Sequence, residues 1–315
     1  MQLKASAPGS LMLLGEYAVL YGKPALVCAV DKRIMVTLTP RNDKQIHMQS
    51  SLGHHTTSIE ELKIEKPFHF VLGALLQYQA KLKRGCDIHI TAEFSDQVGF
   101  GSSAAVTVAT LATLVKWLDI KMTPLDLVRQ GRRVVRLIQG VGSGADIAAS
   151  VYGGMVGYQA QPLVAEKFSV THPLVAWYSG YKTPTVEAIK IVQTHFENYP
   201  NLFRQFCQSI GQCALEGIHL VRKQEWHKLG DIFNMQQGLM ASLGVSTPLL
   251  HKMVETLREQ EGIKGAKISG SGLGDCVIGL GVLSTISPCH SVTDQSPLEF
   301  IPVTMTLQGL QCEKI

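Results

Sequence analysis

The first half of the chain alternates short apolar or β-branched segments with polar ones, a pattern typical of strands joined by turns. Residues 87–94 alternate apolar and polar side chains with a period of two, which predicts a half-exposed strand. Residues 41–66 are polar and predict a loop or a β-hairpin rim. Pro8-Gly9 is expected to end a first strand, and Asp31–Arg33 to separate two others. The apolar or β-branched runs that predict these strands and one more lie at 2–7, 25–30, 34–40 and 155–159.

Two helices are predicted between these strands. Residues 102–120 are rich in Ala and Leu and apolar on nearly every side, which predicts a buried helix. Thr123 followed by Pro124 is typical of an N-cap with proline at the first helical position, and Gly140 is expected to end that helix.

The pattern changes to longer helical segments after about residue 162. Residues 196–243 predict two helices broken near Lys223, and Thr247 is expected to cap a third that ends at Gly262. The change predicts an α+β protein of two domains, 1–165 and 166–315. Strands of the second domain are predicted at 175–178, 266–269, 276–280 and 301–307.

Composition places the chain among compact globular proteins. Its 315 residues suit two domains with a real core, and charged residues are only 17%. A net charge of +4 favours neither a nucleic-acid partner nor a membrane surface, although it is compatible with a phosphorylated small molecule. No apolar run is long enough to span a bilayer.

The seven cysteines are scattered and none has CxxC spacing, so the sequence does not indicate a zinc site. Met1 leads directly into a polar start without the apolar segment of a secretory leader. We therefore expect reduced thiols in a cytoplasmic protein.

A glycine-rich element at Gly99–Ala105 follows a predicted strand and opens the predicted buried helix. Free N–H groups and a partial positive charge at a helix N-terminus attract anions, and glycines let the backbone approach them closely. Ser102 and Ser103 add hydroxyls that can bind phosphate or a metal ion. The segment suits a triphosphate, although an ordinary serine cap after a flexible turn is equally compatible with it. It is not a Walker A motif, because no Gly-Lys-Ser/Thr follows.

Two further glycine-rich elements lie at residues 7–22 and 267–276. Taken alone, the first is compatible with two strands and a turn, and the second with a flexible hairpin. In this order and at these distances, the three elements resemble the three motifs of the GHMP kinases. Within that group, the mevalonate kinases are the most similar, on the segments 7–26, 234–237, 243–248 and 265–268.

The resemblance implies an N-terminal ribosomal-S5-like α/β domain and a C-terminal ferredoxin-like α+β domain, with nucleotide and substrate between them. It implies ATP and Mg²⁺ as cofactors and a small-molecule alcohol as acceptor, most simply mevalonate. A phosphomevalonate kinase stays open, because residues 146–154 resemble that group. A weakly active or inactive relative that senses a nucleotide or metabolite also stays open, as does a homodimer.

Site residues follow from the same resemblance. Asp146 in Ser-Gly-Ala-Asp is implied as the catalytic carboxylate that faces the acceptor hydroxyl, although such an aspartate is also often a helix cap. Ser103 matches the magnesium-binding serine. The nucleotide-binding loop matches Gly99, Gly101, Ser102, Ser103 and Ala104, and residues near the substrate match Glu16, Thr185, Gly270, Ser271 and Gly272.

The sequence departs from the family pattern at two positions where mevalonate kinases carry charged side chains. Ser10 stands where mevalonate kinases carry a lysine, and Val135 stands where they carry a metal-binding glutamate. A phosphoryl-transfer site that lacks one cation needs another, and Lys182 is our candidate, with a solvated turn lysine as the alternative. Arg133, with Arg129, Arg132 and Arg136 on one helix side, is a second candidate, although a solvated helix face is compatible with the same pattern.

Smaller departures concern the second and third glycine-rich elements. Ser95 replaces the proline usual before the phosphate-binding loop, and Asp275 follows Gly274 where a run of glycines is more usual. The adjacent His54 and His55 lie in a polar segment and indicate solvated side chains rather than a metal site.

Overall fold

The computed structural model describes residues 2–95, 98–283 and 299–315. Over these residues the chain alternates strands and helices in an α+β arrangement, as the sequence predicts. The strands are β1 Leu3–Leu14, β2 Ala25–Pro40, β3 Gln45–Ser50, β4 Gly53–Ser58, β5 Cys86–Ala92, β6 Met155–Ala160, β7 Leu163–Phe168, β8 Leu174–Tyr178, β9 Ile263–Ser269, β10 Cys276–Gly281, β11 Glu299–Ile301 and β12 Gln311–Lys314. The helices are α1 His69–Leu76, α2 Ser102–Trp117, α3 Pro124–Gln139, α4 Ala145–Tyr152, α5 Thr185–His195, α6 Pro200–Lys223, α7 Trp226–Ser242 and α8 Pro248–Arg258.

The larger sheet has the strand order β12-β1-β2-β5-β3-β4, with β6 paired to β2 and β7 to β6. Its pairs are antiparallel except β3 with β5. Helices α2 and α4 pack on β1 and β2, and α1 and α3 pack against α2. Because α2 is buried on most sides, its apolar residues form the centre of this half's core, as the Ala- and Leu-rich sequence predicts.

The smaller sheet has the order β11-β8-β10-β9, all antiparallel, and α7 and α8 pack on β9. A second apolar cluster joins the two sheets. It brings Leu11 of β1 and Leu26 of β2 together with Phe233 of α7 and Ile278 of β10. This shared core holds the two sheets side by side and fixes the walls of the cleft between them.

Two predicted interruptions in the first strands are wrong. The register shift between Pro8 and Ser10 makes Gly9 a bulge, so β1 continues through it. The Ser10 N–H donates to the Phe100 carbonyl (3.0 Å), which ties the bulge to the glycine-rich segment before α2. Residues 31–33 lie inside β2, which continues because β1 pairs with it on both sides of the bulge.

The last predicted strand, 301–307, is also wrong. Strand β11 ends at Ile301 because Pro302 has no N–H to extend the ladder. Met305 instead forms a single bridge with Val30 of the larger sheet. The chain then returns to that sheet as β12, which the sequence did not predict, so the boundary near residue 165 separates this strand from its partner β1.

Other predicted elements are confirmed. The polar segment 41–66 contains the hairpin β3–β4. Thr123 caps α3 by accepting from the Asp126 N–H (3.1 Å), and Gly140 ends it in the left-handed region at φ +73°. Helices α6 and α7 break after Lys223. The helices α2 and α8 end three and four residues before their predicted ends at Ile120 and Gly262.

Within the described part of the chain, no helix combines the length and the apolar composition needed to cross a membrane.

Candidate active site

The glycine-rich segment before α2 lies at the cleft. Gly101 is the N-cap residue of α2 and has φ +63°, in the left-handed region that favours glycine. A Cβ added at Gly101 would overlap the Ser10 hydroxyl oxygen. The first N–H groups of α2 have no helical acceptor, so together with Ser102 and Ser103 they form a donor-rich cradle for an anion.

Asp146 lies in the first turn of α4, directly opposite this cradle. The Ser10 hydroxyl donates to its Oδ1 at 2.8 Å, which fixes the carboxylate. Burial raises the pKa of Asp146, while the Ser10 hydrogen bond and the charge of Lys182 oppose that rise. Ser10 stands where the family pattern has a lysine. It is a neutral hydrogen-bond donor, and it therefore orients Asp146 without adding a positive charge.

Lys182 lies on the turn after β8 and faces the same point from the smaller sheet. Its side chain is 26% exposed, and its Nζ lies 4.0 Å from Oδ2 of Asp275. Burial raises the pKa of both Asp146 and Asp275, and the positive charge of Lys182 opposes that rise at each. The ammonium group therefore lies close enough to both carboxylates to compensate charge at the cradle.

Two adjoining cavities open on either side of the cradle. The larger, of ≈ 740 Å³, is lined by Ser102, Lys182 and aromatic or apolar residues that include Leu52, Phe68, Phe70 and Phe94. The smaller, of ≈ 170 Å³, is lined by Asp146 and mainly by small or apolar residues. Both cavities are lined by Ser103, Gln139 and Thr185. Their contact at these three residues suits a group that passes from a ligand in one cavity to a ligand in the other.

Glu16 lines the smaller cavity and belongs to a buried ion pair that sequence reasoning missed. Its carboxylate bonds Lys267 Nζ and Gln236 Nε2, and the Lys267 side chain is fully buried. Burial lowers the pKa of Lys267, and the Glu16 charge opposes that change. The only sequence signal was a lysine inside an apolar strand, between Ala266 and Ile268.

The third glycine-rich element reaches the site only in part. Gly270 and Ser271 line the smaller cavity, and the Ser271 carbonyl accepts from the Tyr17 hydroxyl (2.6 Å). Gly272 lines neither cavity and packs on Val245, whose carbonyl oxygen would lie 2.6 Å from an added Cβ. Gly99 also lines neither cavity, and its Cα faces the Asp275 carboxylate.

The arginine candidates lie outside the site. Arg129 pairs with Asp126, and Arg132 donates to the Ala160 carbonyl at 3.3 Å. Arg133 is exposed on α3. Val135, where the family pattern has a glutamate, lines the smaller cavity and offers no carboxylate there.

A magnesium ion fits this site as a partner of phosphate rather than as a protein-caged ion. In the part of the chain that the structure describes, no three His, Cys, Asp or Glu side chains converge on a metal position. Mg²⁺ commonly takes one or two protein ligands and completes its shell with phosphate oxygens and water. The Ser103 hydroxyl, which lines both cavities, is suited to be such a ligand.

The comparison with known proteins assigns the family. Models of the GHMP kinases N terminal domain and the GHMP kinases C terminal match residues 69–154 and 218–284. A mevalonate kinase of Pyrococcus abyssi is 31% identical over 332 aligned residues, which cover 99% of this chain and 98% of the relative. The chain belongs to the GHMP kinases. It is therefore a kinase, and the family uses ATP.

Solved structures show the same fold as this GHMP kinase. The Lin0012 protein of Listeria innocua matches with a TM-score of 0.85 at 20% identity, covering 100% of both chains. The mevalonate kinase of Methanococcus jannaschii matches with a TM-score of 0.77 at 22% identity, covering 96% of this chain and 98% of that one. These matches confirm the predicted two-part GHMP kinase architecture.

Proposed function

We propose that this GHMP kinase transfers the γ-phosphoryl group of ATP to the primary hydroxyl of mevalonate. The observation that carries the proposal is the small cavity bordered by Asp146 and Ser103, which adjoins a larger cavity at the phosphate-binding cradle. The names of the curated relatives support mevalonate as the acceptor, because they are mevalonate kinases at about 30% identity over most of the chain.

The lining of the small cavity supports an unphosphorylated acceptor. Its lining contains no Lys, Arg or His among the described residues, and it already carries the carboxylates of Glu16 and Asp146. Glu16 is neutralised by Lys267. Mevalonate brings one carboxylate, whereas phosphomevalonate would add a phosphate group with up to two further negative charges, which are costlier to bury without a cation in the lining. Apolar residues such as Val19 and Ile147 suit the methyl-bearing carbon chain of mevalonate.

Several residues of the site have a role in this reaction. ATP would supply the phosphoryl group, and Mg²⁺, held by the Ser103 hydroxyl, would neutralise part of its charge. The first backbone N–H groups of α2 and the hydroxyls of Ser102 and Ser103 hold the phosphates. Asp146, fixed by Ser10, orients the acceptor hydroxyl and accepts its proton. Lys182 offsets the developing negative charge in place of the lysine that mevalonate kinases carry at the position of Ser10.

The test is ATP consumption with mevalonate, phosphomevalonate, homoserine and galactose in parallel. We expect turnover with mevalonate to exceed turnover with each other acceptor by at least about tenfold, which corresponds to a difference of about 1.4 kcal/mol in activation free energy. Preference for phosphomevalonate would replace the proposal with the phosphomevalonate kinase alternative. ATP binding without turnover on any acceptor would favour a nucleotide or metabolite sensor.

A further inference from the structure

Asp275 carries a buried carboxylate that the reaction described above does not use. It lies in the third glycine-rich element, directly before β10, and only 8% of the residue is exposed. Its backbone N–H donates to the Tyr181 carbonyl (2.7 Å), and its own carbonyl accepts from the Ser179 N–H (2.9 Å). Both bonds hold Asp275 against the turn that carries Lys182.

The side chain of Asp275 lies between Lys182 and the start of the glycine-rich segment Gly99–Ala105, which we call the phosphate-binding segment. Its Oδ2 is 4.0 Å from Lys182 Nζ. Its carboxylate packs directly on Gly99, where an added Cβ would overlap it. Its Oδ1 is buried and meets no donor at hydrogen-bonding geometry among residues 2–95, 98–283 and 299–315, while the Cys276 thiol and the Gly99 N–H act on the same carboxylate and oppose the rise in its pKa that burial causes. The contact with Gly99 also explains why a glycine begins this segment.

A buried carboxylate is costly unless a cation compensates it, and Lys182 lies closest for that role. Burial raises the pKa of Asp275, and the charge of Lys182 opposes this rise. The carboxylate in turn attracts the Lys182 ammonium and so limits the conformations of a long side chain, which has several rotamers available to it. The same ammonium also interacts electrostatically with Asp146.

The backbone conformation at Asp275 also indicates that its side chain has a specific role. Its φ is +72°, in the left-handed region, where glycine is the least strained residue and Asp and Asn are tolerated among the others. The three glycines nearby show that the local chain readily accepts glycine. An aspartate here accepts some strain and places one charge beside Gly99.

We propose that Asp275 is a positioning residue that holds the Lys182 ammonium beside the start of the phosphate-binding segment, ready to meet the transferred phosphoryl group. The proposal rests on the kinase function proposed above, although it does not depend on which acceptor is used. Asp275 acts through Lys182 and does not itself touch the reacting atoms.

The test is a double-mutant cycle of Asp275→Asn and Lys182→Met, assayed with the acceptor that the substrate panel selects. Asparagine keeps the shape of the side chain, tolerates the left-handed backbone and removes only the charge. We expect Asp275→Asn to lower kcat about tenfold and to add no further loss in the Lys182→Met background, because residues that act as one unit are not additive. Asp231→Asn, an exposed carboxylate on α7, is the matched control and should not change kcat.

ATP affinity, measured by calorimetry without any acceptor, separates positioning from a merely structural role. Because Asp275→Asn removes a negative charge near the phosphates, we expect ATP to bind the variant as tightly as the wild type or more tightly. If Asp275 only supports the phosphate-binding segment, ATP affinity and melting temperature will fall together, and the proposal is wrong. It is also wrong if kcat is unchanged, or if the losses multiply in the double variant.

Two controls keep these outcomes interpretable. Asp275→Gly suits the backbone at φ +72° and repeats the cycle if the asparagine variant does not fold. Failure of the wild type to phosphorylate mevalonate would overturn only the acceptor assignment, since the same cycle is then run with the acceptor that the panel selects. If no acceptor supports turnover, this inference fails together with the proposed reaction. ATP binding by the wild type would then identify the protein as the nucleotide or metabolite sensor described above.

Discussion

At the scale of single residues, the site replaces a charged group by a hydrogen bond. Ser10 is 1% exposed and donates to Asp146, so it fixes the orientation of the carboxylate without adding a positive charge. A serine contributes less to the ionisation of Asp146 than a lysine would, because it offers a dipole instead of a full charge. The neutralising charge must then come from another element, and Lys182 lies within reach.

We predict that Asp146→Asn keeps the fold and ATP binding and lowers kcat by about 10²–10⁴, the usual contribution of a positioned proton acceptor. The amide keeps the shape of the side chain and can still accept from Ser10, but it cannot take the hydroxyl proton. Steady-state kinetics and calorimetric ATP binding would check this. A variant with nearly wild-type kcat would show that Asp146 is neither base nor orienting group, and Asp231→Asn serves again as the control.

We predict that Gly101→Ala weakens ATP binding at least about tenfold, an effect of about 1.4 kcal/mol. The added Cβ would overlap the Ser10 hydroxyl and force the α2 N-terminus to shift. Gly140→Ala is the matched control. Gly140 has a similar φ of +73°, and nothing lies within 4 Å of its added Cβ, so it reports backbone strain alone. Equal effects of both substitutions on ATP affinity would contradict this location of the nucleotide phosphates.

At the scale of elements, the proposed active site is assembled from the ends of helices and strands and from a bulge. The phosphate-binding segment begins α2, Asp146 begins α4, and Ser10 lies at a bulge of β1. The turn after β8 adds Lys182 from the other sheet. Regular elements satisfy their own backbone groups, so only their ends and irregular points leave N–H groups and side chains free to meet a ligand.

We predict that Lys182→Met lowers kcat about 10- to 100-fold with every acceptor, since it removes the cation nearest the transferred phosphoryl group. Arg133→Met is the matched control, because Arg133 is exposed on α3 and outside both cavities. Initial rates with several acceptors would measure both effects. A loss confined to Arg133→Met and to phosphorylated acceptors would instead assign the compensating charge to α3.

At the scale of the whole molecule, one buried ion pair connects the two sheets. Glu16 follows β1 in the larger sheet, and Lys267 lies in β9 of the smaller one. Gln236 of α7 bonds both Glu16 and the Gly15 N–H (3.0 Å), which extends the connection. Glu16 also lines the smaller cavity. This ion pair therefore links the position of one wall of that cavity to the packing of the two sheets against each other.

We predict that Lys267→Met lowers the free energy of unfolding by about 3–5 kcal/mol, because it leaves the Glu16 charge buried and unpaired. The double variant Glu16→Gln with Lys267→Met should be more stable than Lys267→Met alone, since no lone charge is left. Urea denaturation would measure both values. The exposed pair of Arg222 with Glu166 is the control, and Arg222→Met should cost less than about 1 kcal/mol. A double variant less stable than Lys267→Met would contradict this account.

The sequence by itself determined the elements whose signals are local. The apolar run of α2, the capping residues of α3 and the break between α6 and α7 follow from side-chain pattern and backbone chemistry over a few residues. The glycine-rich segment at Gly99–Ala105 was recognisable because its backbone requirements are equally local. The family, too, could be identified from three short motifs.

Only the tertiary structure decided which distant residues meet. The bulge at Gly9 depends on Phe100, and the return of β12 depends on the free edge of β1. The strand predicted at 301–307 ends at Pro302, and Met305 beyond it bridges to the larger sheet. The ion pair of Glu16 with Lys267 and the contact of Asp275 with Lys182 join residues far apart in sequence. Burial and electrostatic pairing act through space rather than along the chain, so no local pattern could predict them.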